Sequence, residues 1–311
     1  MAEDFLELTA GELRLGLSPT VGGSITHFSR EWRQAGALRR THWLRPATAQ
    51  SMLNREPLGM GSFPLVPFCN RIRNGAAVFA GREIRMRPNH PGSDSPHPLH
   101  GIGWQRPWRT VVASSAQATL QLAVEADEQW PWSFHASQTF KLSVNALTVS
   151  MALTNRDTVP MPAGIGHHPY FPRDDRTRIT VRTRAMWEGD HEVMPVALLA
   201  NEAVARMAGG TVVADLVLDN NFSGWDREAH IEWGDDANGP ARSLAMRAQA
   251  PLDFFVLYSP ARADHFCAEP VSQCTDWINL RAEHAAADLG GASLAPGETL
   301  VAQFALVPRW R

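Results

Sequence analysis

The chain has 311 residues, of which 44% are hydrophobic and 20% charged, a composition that excludes disorder as its main state and allows a large core. The formal net charge of −3 gives no general attraction to nucleic acid or to an anionic membrane, so neither is an expected partner. Three cysteines, Cys69, Cys267 and Cys274, are an odd number that fits reduced thiols better than a disulfide framework, with the cytoplasm as the simplest home.

The start, Met1-Ala2-Glu3-Asp4-Phe5-Leu6-Glu7-Leu8, carries acids where a secretory leader carries bases. No later stretch reaches the roughly 18 apolar residues of a membrane span. Neither export nor anchoring is expected.

From Phe5 onward the runs are short. Phe5–Thr9, Leu13–Leu17 and Gly22–Phe28 are strand-length and bounded by glycine, proline or serine, the pattern of antiparallel hairpins. Similar runs recur at Thr119–Glu125, Phe134–Leu142, Ala146–Thr154, Arg178–Arg184, Ala229–Trp233, Phe254–Tyr258 and Thr299–Val307. Helical candidates are few; Val193–Met207 holds alanine and leucine, although it opens near Pro195. Many short strands without alternating helices predict an all-β fold, a large sandwich of antiparallel sheets. No linker composition divides the chain, so residues 1–311 are expected to form one domain. The segment from Gly59 to Trp108, rich in proline, glycine and arginine, reads as functional loops draped over a sheet face.

The chemistry gathers around Pro162-Ala163-Gly164-Ile165-Gly166-His167-His168-Pro169-Tyr170-Phe171. Glycines and prolines keep that backbone out of a helix, so the paired histidines belong on a strand edge or loop. An imidazole titrates near neutral pH and can give or take a proton. Its best carboxylate partner is Glu269, in Asp264-His265-Phe266-Cys267-Ala268-Glu269-Pro270. As an extended run this places Cys267 and Glu269 on one face, with the acid at a strand end among apolar neighbours that raise its pKa.

Other constellations are weaker. His90, His97, His100, His167 and His168 do not fall at metal-ligand spacings on a helix, and no metal or other cofactor is expected. There is no Gly-x-Ser-x-Gly elbow and no phosphate-cradling glycine loop. Trp130 and Trp132 read as core before they read as sugar platforms. Asp219, within Leu218-Asp219-Asn220-Asn221-Phe222, could bind hydroxyls, but by itself reads as a turn. Arg71 reads as a surface arginine.

Taken together, these residues resemble the aldose 1-epimerase (mutarotase) family, in a bacterial branch apart from the galactose mutarotases themselves. The resemblance rests on Asn70-Arg71-Ile72 with Asn74-Gly75, Leu99-His100-Gly101 with Trp104, Gly166 to Phe171, Leu218-Asp219 with Phe222, Glu269-Pro270, and Leu294-Ala295-Pro296-Gly297-Glu298. It spans most of the chain. It implies a β-sandwich of the galactose mutarotase-like type that interconverts α and β anomers of a sugar without metal or cofactor. It further implies Glu269 as general base, His168 as general acid, and Arg71, His100 and Asp219 as sugar-binding positions, with Asn70 carried as the neighbour of Arg71. His167 is a departure, because members usually have asparagine there. Two alternatives stay open: an epimerase for anionic sugars, suggested by Arg71, Arg73, Arg82, Arg85 and Arg87, and a sugar-binding module without turnover.

Overall fold

The computed structural model describes residues 5–236 and 239–310; residues 1–4 of the acidic start lie outside that range. Residue alternation is the rule that builds it. Phe134–Leu142 turns Phe134, Ala136, Gln138, Phe140 and Leu142 inward. Its antiparallel partner Leu147–Asn155 does the same with Leu147, Val149, Met151, Leu153 and Asn155, so the outward positions are left to polar side chains.

Among the described residues these strands belong to a nine-stranded sheet that runs from Thr211–Val212 through Arg178–Val181, Glu228–Trp233, Arg242–Ala248, Thr299–Trp310, Leu147–Asn155, Phe134–Leu142 and Gln117–Val124 to Arg109–Ala113. An eight-stranded sheet lies against it. Its path is Pro195–Leu199, Ala185–Gly189, Leu218–Ser223, Phe254–Ser259, His265–Val271, Gly166–His167 and Pro64–Leu65, with Tyr170–Pro172 also paired to His265–Val271. The pairings in both sheets are antiparallel. A four-stranded sheet of Leu6–Ala10, Leu13–Ser18, Ser24–Gln34 and Ala37–His42 packs beside them. Trp43 meets Trp310 there, with ring centres 5.5 Å apart.

The fold is therefore all-β, a sandwich whose two inner faces form one continuous apolar cluster. Phe254–Ser259 and His265–Val271 are buried on both faces, because one face packs into the sandwich and the other is covered by the Gly59–Trp108 segment. That segment is less irregular than its composition suggests. It contains the hairpin Ala76–Phe79 and Arg82–Arg85, whose four-residue strands are too short for alternation to show against so many prolines and glycines.

Two local readings are corrected. The helix expected over Val193–Met207 is instead the strand Pro195–Leu199 followed by the helix Glu202–Ala208. Asn201 divides them: its side chain accepts from the Val204 backbone amide and caps the helix. The turn expected at Asp219-Asn220-Asn221 is the strand Leu218–Ser223. Here the asparagine side chains find partners outside their own backbone, Asn220 Nδ2 donating to the Trp187 carbonyl at 2.9 Å and Asn221 Nδ2 to the Gln273 carbonyl at 3.2 Å. Tertiary pairing thus overrides turn preference. No helix among the described residues is long and apolar enough to cross a membrane.

Candidate active site

The outer face of the eight-stranded sheet carries a row of residues set by strand register. Asp219 stands opposite Tyr258, Tyr258 opposite Cys267, and Cys267 opposite Tyr170. Two residues further along the central strand, on the same face, is Glu269, opposite Val256. Glu269 lies inside the strand His265–Val271 rather than at its end. The alternation puts Phe266, Ala268 and Pro270 on the face that closes the sandwich.

His168 enters this face from the short link between Gly166–His167 and Tyr170–Pro172, its backbone N–H donating to the Phe63 carbonyl at 2.9 Å. Gly166 makes the approach possible, since a Cβ there would lie 2.9 Å from the Pro270 oxygen and 3.0 Å from Cys69 Sγ. The imidazole stacks on two rings, Phe63 at 4.6 Å and Tyr170 at 4.7 Å between centres, which themselves lie 6.1 Å apart. From the loop layer come Asn70, Arg71 and His100. Asn70 and His100 both have positive φ, 55° and 64°, and the His100 N–H donates to the Asn70 carbonyl at 2.8 Å. Holding a histidine in the left-handed region costs strain, which concentrates at functional sites. The next residue, Gly101 (φ 68°), has no room for a side chain: a Cβ would fall 2.1 Å from the Val66 oxygen.

Asn70, Arg71, His100, His168, Asp219 and Glu269 all line one cavity of about 360 Å³, a volume suited to a small ligand. Within it Arg71 Nη2 donates to Asp219 Oδ2 and Arg71 Nη1 to Asn70 Oδ1, each at 3.1 Å. Arg71 is thus an inward, ion-paired residue. His168 Nε2 lies 3.2 Å from Glu269 Oε1, and both side chains are buried. His100 meets His168 edge to face at 4.9 Å.

Burial decides the protonation of this group. It pushes the Glu269 carboxyl well above the usual carboxylate range, an effect reinforced by Asp219 and opposed by Arg71. Burial also pulls the His168 imidazole down to about 3, helped by the charge of Arg45. His100 is held well below the ordinary imidazole range, first by burial and then by His168. In this pair, whose members lie 3.2 Å apart, Glu269 therefore holds its proton to a higher pH than His168. Such a pair always offers one donor and one acceptor.

The family model described as aldose 1-epimerase matches residues 5–306. The chain belongs to the aldose 1-epimerase family. It is 31% identical over 317 residues to protein YphB of Escherichia coli (strain K12), covering 97% of this chain and 98% of that protein. A crystal structure of a proposed aldose 1-epimerase from Escherichia coli K12 superposes with a TM-score of 0.82 at 27% identity, covering 99% of both chains. A galactose mutarotase-like protein from Clostridium acetobutylicum shares the fold, with a TM-score of 0.81 at 17% identity over 98% of this chain and 95% of its own.

In this aldose 1-epimerase family member the adjacent histidines point opposite ways. His167 is fully buried between the sheets, where Nδ1 pairs with the Ser62 hydroxyl and Nε2 with Gln138 Oε1 at 3.0 Å. Since Gln138 Oε1 can only accept, Nε2 carries the hydrogen and Nδ1 accepts from Ser62. The ring packs 5.6 Å from Phe304. His167 therefore belongs to the sandwich interior and only His168 reaches the cavity.

Of the arginines that suggested an anionic substrate, Arg73, Arg82, Arg85 and Arg87 are paired with the protein's own acids Asp190, Asp157, Glu83 and Glu128. None of these four lines the cavity. Among the cavity residues that escaped sequence reading are Arg45, Tyr258 and His265. Tyr258 sits in an expected strand, but only its pairing with Asp219 reveals its face. Trp130 and Trp132 are core residues. No group of three or more His, Cys, Asp or Glu side chains among the described residues converges as a metal site.

Proposed function

We propose that the protein is a mutarotase, interconverting the α and β anomers of an aldose by general acid/base opening and closing of the ring. The observation that carries this reading is the buried pair His168 and Glu269, 3.2 Å apart on the wall of a hexose-sized cavity. Opening a cyclic hemiacetal removes the proton from the anomeric hydroxyl while the ring oxygen gains one. Those two oxygens share a single carbon, so an acid and a base 3.2 Å apart can reach both. The proton that the pair holds is delivered to one oxygen as the other yields its own, and the pair ends with the same proton count. After rotation about C1–C2 the ring closes with the roles exchanged.

In the opening direction the proton held on Glu269 passes to His168, leaving Glu269 as the base and His168 as the acid, and the neutral His100 donates to a sugar hydroxyl. Arg71 and Asp219, bound to each other, present a donor and an acceptor to vicinal hydroxyls. A module that only binds sugar has no use for a desolvated acid beside a buried imidazole. Polarimetry or NMR exchange spectroscopy on freshly dissolved sugars tests the reading. Wild type is expected to exceed the spontaneous rate and Glu269→Gln to approach it; equal rates for both proteins on every sugar would reject it.

A further inference from the structure

Two arginines reach the cavity, and they differ in charge balance. Arg71 is neutralised by Asp219. Arg45 has no carboxylate within ion-pair distance among the described residues. Its Nη2 donates to the carbonyls of Leu58 at 2.6 Å and Met60 at 3.0 Å, dipoles that solvate a guanidinium without cancelling its charge. Its face lies 3.9 Å from the centre of the Tyr170 ring. Asp264 is held by His265 Nδ1 at 2.9 Å, and its side chain is 92% exposed, so solvent screens its charge. With Glu269 neutral while it holds the shared proton, the cavity carries one uncompensated positive charge.

The position of that charge relative to the chemistry is fixed by stacking. Phe63 and Tyr170 both stack on His168, their own ring centres 6.1 Å apart, and Arg45 stacks on Tyr170. Arg45 thus lies one aromatic ring away from the imidazole. On the mutarotase reading, which this step rests on, His168 faces the ring oxygen. The next atom of the sugar ring past that oxygen bears the exocyclic carbon.

We infer that the cavity selects aldoses whose exocyclic carbon beside the ring oxygen carries an anionic group, a phosphate, sulfonate or carboxylate, and that Arg45 pairs with that group. The guanidinium is already desolvated on one face and held on one edge, so an incoming anion meets an oriented donor set rather than a mobile surface side chain.

The test compares D-glucose with glucose 6-phosphate, 6-deoxy-6-sulfoglucose and glucuronate. NMR exchange spectroscopy measures each against its own spontaneous rate, and calorimetric titration measures binding of the same sugars. For wild type, kcat/KM for at least one anionic sugar is expected to exceed that for glucose by about 10- to 100-fold, and Arg45→Gln to reduce that ratio by a similar factor. The ratio among the three anions identifies the group. Because it is taken within one protein, the ratio is insensitive to partial loss of folded material. Arg45→Lys, which keeps the charge, is expected to retain part of the preference. Equal or greater activity on glucose, or a ratio unchanged in Arg45→Gln, overturns the inference while leaving the mutarotase reading intact. If no sugar exchanges faster than spontaneously, yet an anionic sugar binds wild type and not Arg45→Gln, the mutarotase reading falls and the anion site stands.

Discussion

His168 Nε2 and Glu269 Oε1 face each other at 3.2 Å inside a buried wall, the imidazole stacked against Phe63 and Tyr170. Burial moves their proton affinities in opposite directions, the carboxyl up and the imidazole down to about 3. The usual ordering of a glutamate and a histidine is thereby inverted.

The first consequence is in the pH profile. Activity needs one proton on the pair, so it fails when His168 also becomes protonated at low pH or when Glu269 loses its proton at high pH. An imidazole at the ordinary 6.5 would give kcat/KM a limb near that pH. The expected profile has no such limb: it is flat between the lowered His168 value and the raised Glu269 value, and falls as pH rises through the latter. Rates measured across this range, corrected for spontaneous exchange, check it.

Replacing either partner should be severe, and replacing both should be no worse. Glu269→Gln and His168→Gln are each expected to reduce kcat by about 10²- to 10⁴-fold. The double variant should lie within about tenfold of the weaker single one, because an acid without its base completes no ring opening. A double variant whose loss equals the product of the two would contradict this shared-proton mechanism.

Glu269 should also weaken the fold it serves. A carboxyl whose folded pKa is raised contributes stability that is full below its unfolded value, 4.5 for this glutamate, and is lost as pH rises through the folded value. Glu269→Gln lacks that loss. It is expected to match wild type near pH 4 and to be more stable than wild type at pH 7. Urea denaturation at the two pH values measures the difference.

The neighbouring histidines should separate cleanly. His167→Ala removes the partner of both Ser62 and Gln138 in the interior and is expected to cost about 3 kcal/mol of stability, with kcat changed less than about threefold in the remaining folded protein. His168→Gln should show the reverse. Thermal melts beside single-substrate kinetics tell the two apart.

Asp276 supports the site without lining it. Its N–H donates to the Arg71 carbonyl at 2.9 Å, and its Oδ1 accepts from the Arg73 N–H at 3.0 Å and Asn279 Nδ2 at 2.8 Å. It thereby holds the backbone on both sides of Ile72. Asp276→Ala leaves the Arg73 N–H unpaired, and is expected to raise KM by about 5- to 30-fold with a smaller change in kcat. Asp276→Asn, which keeps one acceptor, should recover most of the loss.

How much of this was readable beforehand depended on distance along the chain. Strict alternation over nine residues made Phe134–Leu142 visible at its true bounds, and the spacing within His265–Val271 put Cys267 and Glu269 on one face. The helix at Glu202–Ala208 was blurred into the preceding strand because alanine, leucine and valine suit both states, and the deciding cap is a single asparagine. Tyr258 and Arg45 were illegible for a different reason. Tyr258 faces the cavity only because its strand pairs with Asp219 on one side and Cys267 on the other, and Arg45 reaches the cavity only by stacking on Tyr170, more than a hundred residues away. The choice between His167 and His168 turned on one step of alternation, which the proline that follows them conceals.

The row Asp219, Tyr258, Cys267 and Tyr170, with Glu269 one pleat further on, comes from four strands whose mutual offset is set nowhere in any one of them. A slip of a single position between Phe254–Ser259 and His265–Val271 would swing the acid into the apolar interior and Phe266 or Ala268 into the sugar's place. Assembly errors in this sheet should therefore yield unstable molecules that lack the His168–Glu269 pair, inert on the proposed reading. Changes in sugar preference are left to the overlying loops, which can be edited without disturbing the pleats beneath.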